Sequence, residues 1–199
     1  MARGFAVPRS TARYGTCVRI PTTDHLRTDD DGALERMTIA ELNACDRNRF
    51  VAALGWIFED SPWVAERAWA QRPFSSIEQL HAAMVGVVHA ASRAEQLALL
   101  RAHPDLGTRA RMSEASAGEQ AGAGLDRLTP AVYERLQRLN SAYREKFGYP
   151  FLFAVEGSTT QQILAALEER VSRSPDEEFS EALRQVARIA EFRLRATVS

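Results

Sequence analysis

"SSIEQLHAAMVGVVHAASRAEQLALLRAHPDLG", residues 75–107, holds two helices and their punctuation in a single run. Ile77, Leu80, Met84, Val87 and Val88 recur at three- and four-residue intervals, which places them on one face of a helix. A serine followed three residues later by glutamate is the reciprocal box that closes a helix start, and it stands at Ser75/Glu78 and again at Ser92/Glu95. Pro104 disfavours α backbone at the residue before it, so the second helix is predicted to stop near position 102. His103 is thereby left at a helix C-terminus, where the macrodipole favours the protonated imidazole. Held partly cationic near neutral pH, it is a competent general acid. Histidine and proline are also ordinary punctuation of a helix end, and both readings stand at this point.

The same grammar continues outward. Further boxes occur at Thr38/Glu41, Ser116/Glu119, Ser158/Gln161 and Ser174/Glu177. Proline occupies the first helical position after Ser61 and after Thr129, and Asp46 caps "RNRFVAALG", closed by Gly55. Ile163, Leu164, Leu167 and Val171, then Leu183, Val186, Ile189 and Leu194, repeat the helical stripe. Together these predict an all-α, single-domain bundle of about eight or nine helices. "YPFLFAV" at 149–155 is the exception, since its composition suits a strand but no second strand is there to pair with it. An irregular apolar segment near 149–157 is expected, with backbone amides left for partners other than a sheet.

Composition narrows the function classes. The chain has 199 residues, 45% of them apolar, enough for one domain with a real core. A net charge of −1 exerts no long-range pull on nucleic acid or on an anionic membrane. No apolar run approaches the ~20 residues that span a bilayer. The two cysteines, Cys17 and Cys45, show neither metal-ligand nor disulfide spacing, so a reducing, cytoplasmic setting is expected. Residues 1–36 have no helical or strand period and carry Asp29-Asp30-Asp31; they read as a disordered extension, with Met37 an alternative start. The folded domain is expected over 37–196.

Two further residues are candidates for chemistry. Glu119 fits a capping box that would bond the Ser116 amide, but glycines at 118, 122 and 124 also let a ligand approach a helix start. Arg193, near the end of the last helix, serves the dipole by default, as Arg195 would. His81 and His89 are eight apart and HExxH is absent, so no metal site is expected; nucleotide-loop and serine-hydrolase motifs are missing as well.

His-Pro-Asp after a helix resembles the J-domain of co-chaperones, which implies a chaperone-binding module without enzymatic activity. "LNSAYREKFG" echoes that family, although its mostly apolar preceding helix and its spacing do not. A second resemblance runs from Met37 to Leu194. The blocks "FVAALGWIFEDSPWVAERAWAQRPF" (50–74), "HPDLG" (103–107), "SAGEQAGAGL" (116–125), "FGYPFLFAV" (147–155) and "RIAEFRL" (188–194) are similar in order and spacing to 2-oxo-4-hydroxy-4-carboxy-5-ureidoimidazoline (OHCU) decarboxylase. Tyr149 stands where that family usually has phenylalanine, and Glu156 where a basic residue is frequent.

This second resemblance implies an all-α lyase of purine catabolism that turns OHCU into (S)-allantoin and CO2, the last step of urate oxidation. It implies a homodimer and no cofactor. Its catalytic residues fall on His103, Glu119 and Arg193. Its substrate-binding positions fall on Pro104, on Ser116, Ala117, Gly118 and Gln120, and on Phe151, Leu152, Phe153, Ala154 and Val155. In that scheme His103 donates a proton, Glu119 pairs with it or holds the substrate hydroxyl, and Arg193 grips a substrate oxygen through its planar fork.

Overall fold

Helices begin in this chain where a side chain can close the first turn, and the computed structural model, which describes residues 36–108 and 113–199, shows which side chains do so. The extension expected over 1–36 lies, but for Arg36, outside the described residues. Thr38, Asp46, Ser92, Thr129 and Ser174 each accept a backbone N–H as expected, opening α1 (Ile39–Ala44), α2 (Arg47–Leu54), α5 (Arg93–Ala102), α7 (Pro130–Phe147) and α9 (Pro175–Thr197). Pro62 precedes α3 (Trp63–Ala68), which runs into a 3-10 turn over Trp69–Gln71.

Three expected starts are displaced. Ser76, not Ser75, caps α4 (Ile77–Ala90), and Thr159, not Ser158, forms the box that opens α8 (Thr160–Arg170) with Gln162. The third shift matters more. Ser113, not Ser116, caps α6 (Glu114–Gly122), so Ser116 and Glu119 lie inside the helix and form no box. The Ser116 N–H instead donates to Ser113 Oγ at 3.2 Å.

Among the described residues there are nine α-helices and no named strand; Met37 and Val198 form only an isolated bridge. No helix among them is long and apolar enough to cross a membrane. α9 is the spine. Phe179, Ala182, Leu183, Val186, Ile189, Ala190 and Leu194 form a buried stripe along it, and the helix packs on α4 and α5. α3 packs on α4 and α2, and α7 on α8. Leu80, Met84, Leu99, Leu100, Leu136 and Ile163 are fully buried between these layers. Burial of each such side chain stabilises the fold by about 1.5–3 kcal/mol.

Residues 149–155 are irregular, as expected, and buried except for half-buried Phe153. They are held from three sides. The Ala154 N–H donates to Gln185 Oε1 at 2.9 Å, Arg170 Nη1 donates to the Leu152 carbonyl at 2.8 Å, and the Arg170 guanidinium lies 4.6 Å from the Phe151 ring centre. Arg170 is itself buried on Glu178, which also accepts the Tyr143 hydroxyl.

Candidate active site

The helix end at 102 is real: His103 is the C-cap of α5, with extended backbone. The loop after it is pinned to α7, because Asn140 Nδ2 donates to the Leu106 carbonyl and Arg144 Nη2 to Asp105, both at 2.9 Å. Gly107 turns the chain with φ +68°, and a Cβ there would sit 2.5 Å from Leu136 Cδ2. Only glycine accepts both the angle and the closeness. The Gly107 N–H donates to Gln120 Oε1 at 2.8 Å, tying this loop to α6.

His103 is buried, at 6% exposure. Its Nδ1 lies 2.9 Å from the Leu99 carbonyl; a carbonyl only accepts, so Nδ1 carries the hydrogen. Nε2, with no hydrogen-bond partner among the described residues, is left for the cavity that His103 lines. Burial pushes the imidazole pKa down to about 4, against the opposing pull of the Leu99 carbonyl and the Glu59 carboxylate. The expectation of a partly cationic histidine is therefore corrected. At neutral pH the ring is neutral, and Nε2 is an acceptor.

Arg193 is also buried, at 4% exposure, and not a solvated helix-end arginine. Its guanidinium is bidentate on Glu119, with Nε at 2.6 Å from Oε1 and Nη2 at 3.1 Å from Oε2. Nη2 also donates at 3.1 Å to Glu59 Oε2 and to Ser116 Oγ, and Nη1 at 3.3 Å to the Ile57 carbonyl. Ser116 Oγ in turn donates to Glu59 Oε2 at 2.8 Å. The fork expected to grip substrate is thus filled by protein carboxylates. Glu119 pairs with Arg193, while Glu59 is the carboxylate whose charge acts on His103.

Around this cluster lies a narrow cavity of about 30 Å³, lined by His103, Pro104, Ser116, Glu119, Gln120, Phe151, Leu152, Phe153, Val155 and Arg193, with Leu106 and Ile189 completing it. That volume holds roughly two waters, and the cavity is partly open to solvent. Ten of the thirteen expected site residues meet here. Ala117 and Gly118 do not; they are exposed on the far side of α6. The cause is the displaced cap: inside a helix, 116, 119 and 120 share a face at three- and four-residue spacing and 117 and 118 do not. Ala154 is buried behind the wall, its amide held by Gln185. Among the described residues, no protein acceptor takes the amides of Leu152, Phe153 or Val155, in keeping with the expected spare donors.

Glu59 is the principal residue that sequence reasoning missed. It sits at 6% exposure between α2 and α3, where no periodicity marks it. Burial pushes its carboxyl up, but hydrogen bonds from Ser113 and Ser116 and the Arg193 charge outweigh that, so its pKa is lowered. All that the sequence shows there is a carboxylate directly after the apolar pair Ile57 and Phe58, which the structure finds fully buried.

The family model for OHCU decarboxylase matches residues 43–195. The chain is 51% identical over 161 residues to the OHCU decarboxylase of Halalkalicoccus jeotgali, covering 81% of this chain and 92% of that one. It is 52% identical to the Haloferax volcanii enzyme of the same name, covering 81% and 96%. A crystal structure of (S)-allantoin synthase superposes with a TM-score of 0.67 at 36% identity, covering 81% of this chain and 54% of that one. None of these matches favours the chaperone-binding module.

Proposed function

The chain belongs to the OHCU decarboxylase family, and from that membership and the site's geometry we propose that it converts OHCU to (S)-allantoin and CO2 through its domain at 37–196. The observation that carries the mechanism is the locked histidine. Hydrogen-bonded to Leu99 through Nδ1, His103 presents a lone pair at Nε2 to the cavity.

In the substrate one carbon bears a hydroxyl and a carboxylate, beside a ring C=N bond. When the bond to the carboxylate breaks, its electron pair forms a C=C bond to the neighbouring carbon, and the C=N pair passes to nitrogen, which takes from solvent the one proton that the overall reaction consumes. The sink is the substrate's own, so the reaction calls for no cofactor. The resulting enol must lose its hydroxyl proton while the neighbouring carbon gains one on a single face. Neutral His103 is suited to take the first proton and then deliver the second, as base and then acid. Glu119, aligned by Arg193, borders the same space to receive a substrate N–H or O–H, and Pro104, Gln120 and the 151–155 wall orient the ring. The family resemblance also supports a homodimer working in the cytoplasm, which sedimentation and cell fractionation test.

Urate supplied with uricase and the intervening hydrolase generates OHCU in situ. Added protein is expected to yield (S)-allantoin, followed by circular dichroism, faster than the racemising background. His103→Asn is expected to cost about 10²–10⁴-fold in turnover with its melting curve intact. Racemic product at the background rate with the wild type would refute the reading.

A further inference from the structure

The cluster beneath His103 contains two carboxylates for one guanidinium, and the second of them, Glu59, has no part in the scheme above. It is more deeply buried than Glu119, the two side chains being 6% and 27% exposed. Its Oε2 receives both the Ser116 hydroxyl at 2.8 Å and Arg193 Nη2 at 3.1 Å, while Ser116 Oγ accepts from the same Nη2. Three groups from three parts of the chain therefore close a triangle: the α2–α3 loop, α6 and α9. Arg193 cannot rotate away from Glu119 without breaking it. The charged groups acting on His103 are Glu59 and, with opposite sign, Arg193; Glu119 is paired with Arg193, and Asp105 with Arg144.

We propose that Glu59 is a positioning residue of this site: its buried carboxylate fixes the Arg193 guanidinium and the Ser116 hydroxyl, and supplies the negative charge that lets His103 hold a proton during turnover. A neutral imidazole that becomes cationic in mid-reaction is best stabilised by a compensating charge already in place, which costs no reorganisation at the moment of reaction. Glu119 is the carboxylate that Arg193 holds bidentately, whereas Glu59 takes a single bond from Nη2 and is the carboxylate whose charge acts on His103. Glu59 leaves the triad of Glu59, Glu119 and Arg193 with one negative charge in excess, beside the ring that becomes positive.

The kinetic half of this proposal rests on the decarboxylase reading; the titration half does not. Glu59→Gln keeps the size of the side chain and an acceptor for Ser116 but removes the charge. In labelled protein, with His103→Asn used to assign the ring among the four histidines, the His103 resonance of the wild type is followed from about pH 8 to about pH 2.5. In Glu59→Gln its transition is expected to fall by about one pH unit, or to vanish before acid unfolding. In the decarboxylation assay kcat is expected to drop about tenfold or more, with KM unchanged or lower, since loss of a negative charge does not weaken binding of an anion. A role confined to packing predicts the reverse, namely a lower melting temperature with the His103 transition and the pH profile of kcat in place, and that result overturns the proposal. Should Glu59→Gln fail to fold, Glu59→Asp, which withdraws the charge by one methylene, is read in the same way. A wild type that gives no (S)-allantoin above background refutes the decarboxylase reading, and the titration still decides the place of Glu59.

Discussion

A histidine buried in its neutral form makes folding stability depend on pH, and the size of that dependence follows from the structure. The His103 pKa falls from the ordinary 6.5 to about 4 on folding. Below about 6.5 the unfolded chain binds a proton that the folded chain refuses, so stability is lost as pH falls, until the folded form also protonates near 4. The full loss is about 3 kcal/mol at about 1.4 kcal/mol per pH unit. At about pH 5 nearly all of the unfolded chains and about a tenth of the folded ones carry the proton, which amounts to about 2 kcal/mol lost relative to neutral pH. Glu59 does not confuse this window, because its carboxyl is lowered from its ordinary 4.5 and its own contribution is lost only at more acid pH. Urea unfolding of the wild type and of His103→Asn at about pH 7.5 and about pH 5 isolates the effect, since every other histidine is common to both. The variant's absolute stability is immaterial. What counts is that the wild type loses about 2 kcal/mol more than the variant over this interval. Parallel losses in the two proteins would mean that His103 is not a buried neutral base, and the order of proton transfers proposed for it would fall with that assignment.

Two further outcomes concern the frame around the site. Arg170→Met strips fully buried Glu178 of its hydrogen-bonded cation, leaving only Arg173 Nη1 at 3.8 Å, and releases the Leu152 carbonyl; a loss of about 3–5 kcal/mol in urea unfolding is expected, partly recovered when Glu178→Met is added. The Tyr149 hydroxyl is buried without a hydrogen-bond partner among the described residues, so Tyr149→Phe is expected to be neutral or to stabilise by up to about 1 kcal/mol, a rise in melting temperature that calorimetry detects.

Local chemistry made the bundle readable, and long-range pairing made the site only partly so. The stripe on α4 and the caps at Thr38, Asp46, Ser92, Thr129 and Ser174 depend on neighbours within four residues, and each was legible in the sequence. Ser113 and Ser116 both precede plausible first turns, and pattern alone matched Ser116 to Glu119. The choice was made by Arg193, 74 residues away, which takes the Glu119 carboxylate that the box would have used. Arg193 itself was marked more clearly than its position near a helix end suggested. It follows Val186 by seven residues and Ile189 by four, so it lies on the buried stripe of α9, where an unpaired arginine is not tolerated. Glu59 had no such marker; its bonds to Ser116 and Arg193 span 57 and 134 residues.

The protonation state of His103 was misjudged for a reason that magnitudes settle. A helix C-terminus favours a cation by about 0.3–1 kcal/mol at the surface and up to about 2 kcal/mol when partly buried, which is at most about one and a half pH units. Burial in a low-dielectric site disfavours the same cation by up to about 3–5 pH units. Pro104 places the imidazole where the smaller effect operates, and that much is visible in "AHPDLG". The larger effect depends on what covers the ring, and the cover comes from α6, α9 and the 151–155 segment, none of them adjacent in sequence. The helix end therefore tempers the depression and does not reverse it. A ring that is neutral at rest, yet has the Leu99 carbonyl on Nδ1 and Glu59 in its field, has a small enough penalty for protonation to be crossed within a catalytic cycle. That is what a group accepting one proton and returning it requires.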